Sequence, residues 1–347
     1  MASPGRSPAK RKRIELIQPE QQIKAEADGV SALDAIKLKI VGDASQIAAD
    51  GVAPEFAHQI FEDERLPLKG AETALQLEVL YNERDLRLFL RPSGAPLAGA
   101  VEEVAYKLAS ELPPLCATMD EFESGLASPL TPDVVAGDKI AEYTRDDTAF
   151  EVRCGGLTQP AERVTFVQQL QSLMRWFIET WGPIDETDER WRLISIFEAP
   201  ADGSGGRLVA AGTVFHFNRY VTKADAEVLG RDPGPQCVVK ICQALVLPAY
   251  RGKGHGGELL RAMYAHAAAH SALEVTVEDP NPSFRLVRDV TDLRACQQHG
   301  LLRAASSSAA AGSQLADARK ALMLTEEQVG MGRAVCGWRW RDRRVVG

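Results

Sequence analysis

Apolar positions return at two different periods along this chain. Between residues 162 and 179, Val164, Phe166, Val167, Leu170, Leu173, Met174, Phe177 and Ile178 fall at helical spacing and predict one long helix with a buried side. Residues 191–197 and 208–217 are apolar runs of strand character, joined by the Gly- and Asp-rich loop 199–207. Residues 238–247, rich in Val, Ile and Leu, predict a buried strand. A glycine-rich turn follows, and then Leu259, Leu260, Met263, Tyr264 and Ala267 recur at helical spacing. Residues 273–277 predict a further strand that runs into Glu278-Asp279-Pro280. Nearer the N-terminus, strand-like runs at 35–41, 74–81 and 86–90 precede a helical pattern at 101–112. Pro113-Pro114 and the region 129–132 punctuate the chain, and 224–235 reads as a turn-rich loop. Residues 1–30 read as a disordered basic tail, and the Ala, Ser and Gly run at 304–313 as a linker or weak helix. There is no internal repeat.

Composition changes this picture in three ways. With 347 residues, 45% of them hydrophobic, the chain can bury a sizeable core and hold two or three domains. No run of about 18 apolar residues occurs and no apolar segment opens the chain, so neither a membrane span nor a secretory signal is expected. Cysteines at 116, 154, 237, 242, 296 and 336 form no C-x-x-C and no metal spacing with histidine. They read as reduced structural thiols of an intracellular protein, with no metal site.

Charge is uneven. The ends at 1–13 and 333–347 carry +5 and +4 against −8 for the whole chain, so residues 14–332 hold −17. Such a body attracts cationic partners and repels nucleic acid. The cluster Lys10-Arg11-Lys12-Arg13 resembles a nuclear localisation signal, or serves as a solubilising tail.

The glycine-rich turn carries the most specific chemistry. Arg251, Gly252, Lys253, Gly254, His255, Gly256 and Gly257 lie between the strand and the helix. Glycines let a main chain approach a ligand closely, and the helix start turns free N–H groups and its positive end toward the turn. That is a cradle for pyrophosphate. Gly252-x-Gly254-x-x-Gly257 satisfies the dinucleotide fingerprint, with Glu278 about 20 residues on as a ribose partner. Against that reading, the first glycine sits beyond Pro248-Ala249-Tyr250 rather than at the strand end. Too little chain remains for a doubly wound sheet, and the strands upstream read as antiparallel. No P-loop pattern occurs.

The alternative ligand is acyl-CoA. Arg251-Gly-Lys-Gly-His-Gly256 resembles the pyrophosphate motif of the GNAT acetyltransferases. The likeness is closer still to the catalytic subunit of the type B histone acetyltransferase. It is carried by His58-Gln-Ile-Phe-Glu-Asp63, Phe177-Ile-Glu-Thr180, Ile184-Asp-Glu-Thr-Asp-Glu-Arg-Trp191, Leu245-Val-Leu247, the glycine turn, Val277-Glu-Asp-Pro280 and Leu286-Val-Arg-Asp289. It covers roughly residues 31–300, with a fainter echo at 324–328. The C-terminal stretch after 304 departs from the helical segment that such proteins carry.

The resemblance implies an α+β fold: a GNAT-type mixed, mainly antiparallel sheet flanked by helices. A separate N-terminal α/β domain and a C-terminal helical segment would accompany it. The divisions expected are 1–30, 31–138, 139–272 for the acetyl-CoA domain, and 273–347 completing the cleft. It implies acetyl-CoA as donor, bound through Ala244, Leu245 and Val246, the turn Arg251–Gly257, and Ser283. Read without the resemblance, Ser283 is a candidate N-cap of the next helix.

A lysine ammonium, with a pKa near 10.4, cannot attack a thioester until it loses a proton. Glu278, closing the strand after the cradle helix, is the best candidate base. The resemblance also puts the general base there, with Glu179 and Asp279 as neighbouring acids. Clustered carboxylates are expected to raise one another's pKa. No cysteine lies in the cradle or the acidic turn, so direct transfer is expected. The resemblance further implies the amino-terminal tail of newly made histone H4 as substrate, together with histone H3. Asp63, Glu64, Trp191, Phe215, His216 and Phe217 would contact it. It implies a WD-repeat β-propeller histone chaperone as partner, and a nuclear and cytoplasmic location. The competing functions are a GNAT enzyme acting on another amine or protein, and an inactive histone-binding scaffold.

Overall fold

The structure is a computed structural model. It describes residues 30–66, 76–93, 98–127, 131–199, 206–229 and 231–299, with 317, 320, 322–325 and 328. The basic cluster at 10–13 and the run at 304–313 lie outside the described residues.

The N-terminal part opens with β1 (Val30–Ser31), α1 (Ala32–Ala35), β2 (Ile36–Val41), β3 (Arg65–Leu66), β4 (Gln76–Asn82) and β5 (Leu88–Ser93). β2 pairs in parallel with β4, and β4 antiparallel with β5; β1 and β3 form a separate pair. Helices α2 (Ala98–Glu111), α3 (Met119–Leu126) and α4 (Pro132–Ala136) follow. The second part holds β6 (Asp138–Arg145), β7 (Thr148–Gly156), α5 (Ala161–Met174), β8 (Trp191–Ala199), β9 (Arg207–Val221) and α6 (Lys223–Leu229). It ends with β10 (Gly234–Val246), α7 (His255–Ala269), β11 (Glu274–Val277) and α8 (Pro282–Gln298).

Six strands form one sheet in the order β11-β10-β9-β8-β7-β6, antiparallel throughout except for the parallel pair β10 and β11. The mainly antiparallel α+β architecture is therefore present, and the doubly wound reading of the glycine turn is excluded. The sheet also runs across the expected 272/273 division. One face packs on α5 and the N-terminal strands, where Phe166, Leu170, Leu193, Leu245 and Leu247 share a cluster with Leu77, Val79 and Tyr81. The other face packs on α7 through Ile194, Val209, Val239, Ile241, Leu259 and Met263.

Several local details differ from the sequence reading. The helix expected over 162–179 ends at Met174, because the Trp176 carbonyl accepts the N–H groups of Glu55 and Phe56 at 2.8 and 3.1 Å. A backbone committed to the N-terminal domain cannot continue the helix. The loop expected at 224–235 contains α6, whose first turn is capped by Thr222 Oγ1 accepting from the Asp225 N–H. β6 escaped notice because it is an edge strand, exposed along most of its length and rich in charge.

β10 carries a bulge between Ile241 and Gln243. Before it, Val239 and Ile241 face the α7 cluster; after it, Leu245 and Leu247 face the α5 cluster. The extra residue, Cys242, switches the sidedness of the strand. Just beyond, Gly212 of β9 lies so close to Met263 and the Gln243 carbonyl that a Cβ there would clash with both. Gly212→Val is expected to cost ~1–3 kcal/mol by overpacking, measured as a lower midpoint in denaturant unfolding.

Candidate active site

The cradle is built by the chain reversing out of β10. Pro248–Tyr250 form a single 3-10 turn, and Gly252 and Gly254 then take left-handed φ values of 74° and 85°. Those are angles that L side chains adopt only at a cost. Gly254 is the N-cap of α7, and a side chain there would also meet the Arg145 guanidinium. Arg145, from β6, donates to the Lys253 carbonyl and pairs with Glu258 at 3.0 Å, fixing the loop to the helix. Gly256, in the first turn, faces Val246 and Val287. Glycine-shaped backbone, the N-terminal end of α7 and the cations Arg145 and Lys253 together suit a pyrophosphate.

Two side chains in the turn do other work than the sequence assigned. His255 is buried, with its Nδ1 bonded to Tyr143 Oη at 2.6 Å and its ring 4.7 Å from that of Phe150. Only its backbone can serve the cradle; the imidazole is an internal clamp, and burial lowers its pKa. The Arg251 guanidinium pairs with Glu55, donates through Nε to the Val246 carbonyl at 3.0 Å, and lies over Phe177. It ties the cradle to the N-terminal domain. Leu245 likewise points its side chain into the core, and its backbone is paired with Ala211 of β9.

The cleft beside the cradle exists because two strands part. β11 pairs with β10 only as far as Ile241, and the Glu278 N–H makes the last bond, to the Ile241 carbonyl at 2.9 Å. β10 continues on β9 to Val246, so among the described residues Gln243–Val246 have a strand on one side only. Glu278 stands at the fork. Its Oε2 is 2.9 Å from Lys240 Nζ, and the Cys242 thiol also hydrogen-bonds it. The Lys240 partner holds its carboxyl below the usual range, against the opposing effect of burial. The expected mutual raising by clustered acids is therefore not what this glutamate meets; the ammonium beside it outweighs burial. Burial pushes the Cys242 thiol up to about 12. A cysteine thus does reach the acidic turn in space, but as a protonated thiol. Asp279 is exposed, with a left-handed φ of 36° that turns the chain sharply after Glu278.

Glu179 lies in the turn after α5, and that turn is held from two sides. Gln59 Nε2 donates to the Ile178 and Glu179 carbonyls at 3.0 and 2.8 Å. From the sheet, Gln243 Nε2 donates to the Gly182 carbonyl at 3.0 Å and exchanges hydrogen bonds with Gln171. The N-terminal domain and the bulged strand thus fix the same acidic loop.

Trp191, Phe215 and Lys240 are directly opposed across β8, β9 and β10, so their side chains form one row. The Trp191 and Phe215 rings are 4.9 Å apart, and the Arg190 guanidinium lies over Phe215. Trp191 is only partly buried, at the rim of the core rather than within it. His216 points to the opposite face. Its Nε2 is 2.9 Å from His266 Nε2 on α7, and burial drives its pKa down to about 4. Strand alternation separates it from Phe215 and Phe217, so it does not join their surface. Asp63 and Glu64 sit on an N-terminal loop with left-handed φ values of 53° and 56°. Glu64 accepts the Ala57 N–H at 2.8 Å and shapes that loop. Ser283 is exposed in the first turn of α8, and the N-cap is Asn281, which accepts the Phe284 N–H at 2.8 Å.

Two family models match this architecture. Residues 29–179 match the histone acetyl transferase HAT1 N-terminus, and residues 167–286 match the acetyltransferase (GNAT) family. The chain thus resembles the type B histone acetyltransferases within the GNAT family. Acetyl-CoA-dependent acyl transfer is the chemistry of that family. The chain is 26% identical over 288 residues to a histone acetyltransferase type B catalytic subunit of Rattus norvegicus, covering 76% of this chain and 63% of that one. A counterpart of Candida glabrata is 34% identical over 138 residues, covering 39% and 33%. The chain therefore spans a little under two thirds of the rat relative's length. Among solved structures, the xEco2 acetyltransferase domain bound to a CoA conjugate overlaps 41% of this chain and 85% of its own, with 11% identity and a TM-score of 0.29.

Sequence reasoning passed over Arg145, Lys240, Cys242 and Gln59. Arg145, Lys240 and Cys242 lie in no glycine or acid motif, and Gln59 lies inside the family-like segment without a signal of its own. Gly254→Val is expected to weaken CoA binding about tenfold or more in calorimetry, since a left-handed residue with a Cβ costs ~1–2 kcal/mol. His255→Ala should instead lower unfolding stability by ~1–3 kcal/mol, with a smaller effect on CoA affinity than Gly254→Val.

Proposed function

We propose that this chain transfers acetyl from acetyl-CoA to lysine side chains in the amino-terminal tail of newly synthesised histone H4, with Glu278 as general base. The observation that carries the reading is the position of Glu278. It stands one residue past the last β10–β11 pair, at the mouth of the one-sided strand that leads to the cradle.

Acetyl-CoA, when bound, supplies the activated acyl group. The protein does the rest. Gly252–Gly257 and the first turn of α7 present N–H donors to a pyrophosphate. Apart from the Val246 carbonyl that Arg251 already holds, the edge of Gln243–Val246 offers backbone groups to an extended amide-bearing arm, as an added strand would use them. Glu278 is anionic at neutral pH and accepts the proton of an arriving ammonium. Trp191 and Phe215 give the lysine stem an apolar wall. The net −17 of residues 14–332 favours a basic tail over other amines. The names of the relatives agree with a histone substrate. A WD-repeat chaperone as partner, H3 alongside H4, and a location in nucleus and cytoplasm belong to the same proposal.

Glu278→Gln keeps the shape and removes the base. Acetyl transfer to histone H4 is expected to fall roughly a hundredfold or more, with CoA binding retained. Transfer to a polyamine but not to histone would overturn the substrate, and unchanged transfer in the mutant would overturn the base. The ion pair also predicts a pH effect. Because Lys240 lowers the Glu278 pKa, the carboxylate stays ionised further into acid than a free glutamate. Compared with a chain whose Lys240 carries its charge, Lys240→Met removes that influence, so the acidic limb of kcat/KM should move to higher pH. A limb that stays in place would separate Glu278 from the proton transfer.

A further inference from the structure

Lys240 stands where an acceptor lysine would have to stand. Its side chain continues the row of Trp191 and Phe215 toward the fork of β10 and β11. Its Nζ is 2.9 Å from Glu278 Oε2, and lysine and glutamate side chains are 31% and 49% exposed. Three residues further along the same strand begins the one-sided stretch that leads to the cradle. The proposed base thus already holds a primary amine of its own chain at hydrogen-bonding distance.

We propose that Lys240 is itself an acetyl acceptor, modified by its own chain, and that this modification opens the site to substrate. The proposal rests on the acetyl-transfer reading above. Glu278 takes a proton from the Lys240 ammonium, and the neutral nitrogen forms a bond to the acetyl carbonyl carbon. The carbon–sulfur bond breaks, the electron pair leaves with sulfur, and the thiolate takes up a proton to give free CoA. Nothing is oxidised or reduced. The product is an uncharged amide, so the ion pair to Glu278 ends. The carboxylate is then free to receive an incoming ammonium, and a like charge no longer faces it. Loss of the lysine charge also lets the Glu278 pKa rise, which makes it a stronger base.

The test incubates the full chain with isotopically labelled acetyl-CoA, without histone, and maps acetylated lysines by mass spectrometry. Wild type, Glu278→Gln, Lys240→Arg and heat-unfolded wild type run side by side, with histone H4 added in a parallel series. Acetyl on Lys240, labelled or already present, is expected in folded wild type roughly a hundredfold faster than in Glu278→Gln or the unfolded chain. Its rate should not depend on protein concentration. Equal modification in all three would mark ordinary chemical acetylation and overturn the proposal. Transfer to histone without acetyl on Lys240 would overturn self-modification and leave the histone reading intact; transfer to neither would overturn both. A second readout needs no donor. Lys240→Gln should bind an H4 tail peptide roughly twofold to fivefold more tightly than Lys240→Arg. Equal binding by the two variants would overturn the opening of the site.

Discussion

The parting of β10 from β11 after Ile241 is the constraint on which the rest of this structure depends. Up to that residue the two strands satisfy each other's backbone groups; past it, among the described residues, β10 pairs with a strand on one side only. A buried strand edge is costly to leave unmet, so such an edge is a prepared binding surface. The bulge at Cys242 sits at the same place and turns the strand over. Lys240 and Cys242 consequently meet Glu278 at the fork, while Gln243 turns toward α5. One extra residue therefore sets both the cleft and the acid's surroundings.

The N-terminal domain supports this arrangement rather than standing apart from it. Arg175, at the end of α5, donates to the Gln59 carbonyl and to the Glu111 carbonyl, each at 2.7 Å. Trp176 donates to Tyr81 Oη at 3.0 Å, deep between the two parts. Gln59 then fixes the turn that carries Glu179. Arg251 closes the circuit by pairing the cradle with Glu55. The Arg175 and Trp176 contacts lie in buried or part-buried surroundings, where a partner removed leaves the other unsatisfied. A separate domain of this size is explained by the alignment of the acidic loop with the cradle.

What the sequence made legible follows from how local each requirement is. The cradle was readable because left-handed backbone at Gly252 and Gly254 needs glycine at fixed positions. Glu278 was readable because a strand end followed by Asp279-Pro280 places an acid predictably. Lys240 was not, since a lysine in an apolar run carries no sign of its cross-sheet partner. His216 was assigned to the wrong surface because three adjacent strand residues cannot share a face, and only register decides which one turns away. His255 keeps its backbone in the cradle while its imidazole is held inward by Tyr143 and Phe150, a contact its glycine-rich motif does not signal. Each miss is a long-range contact that spacing cannot encode.

The electrostatics of the fork bear on how such a base can work at all. A carboxylate beside an ammonium is almost wholly ionised at neutral pH, which favours its availability but makes it a weak base. An acceptor lysine arrives with a much higher pKa, and a proton would not leave it for such a group in water. Two changes narrow the gap: removal of the ammonium's hydration along the wall of Trp191 and Phe215, and removal of the competing charge of Lys240. The first is supplied by the incoming tail. The second requires Lys240 either to swing away or to lose its charge, and its 2.9 Å contact with Glu278 shows that the resting site has done neither.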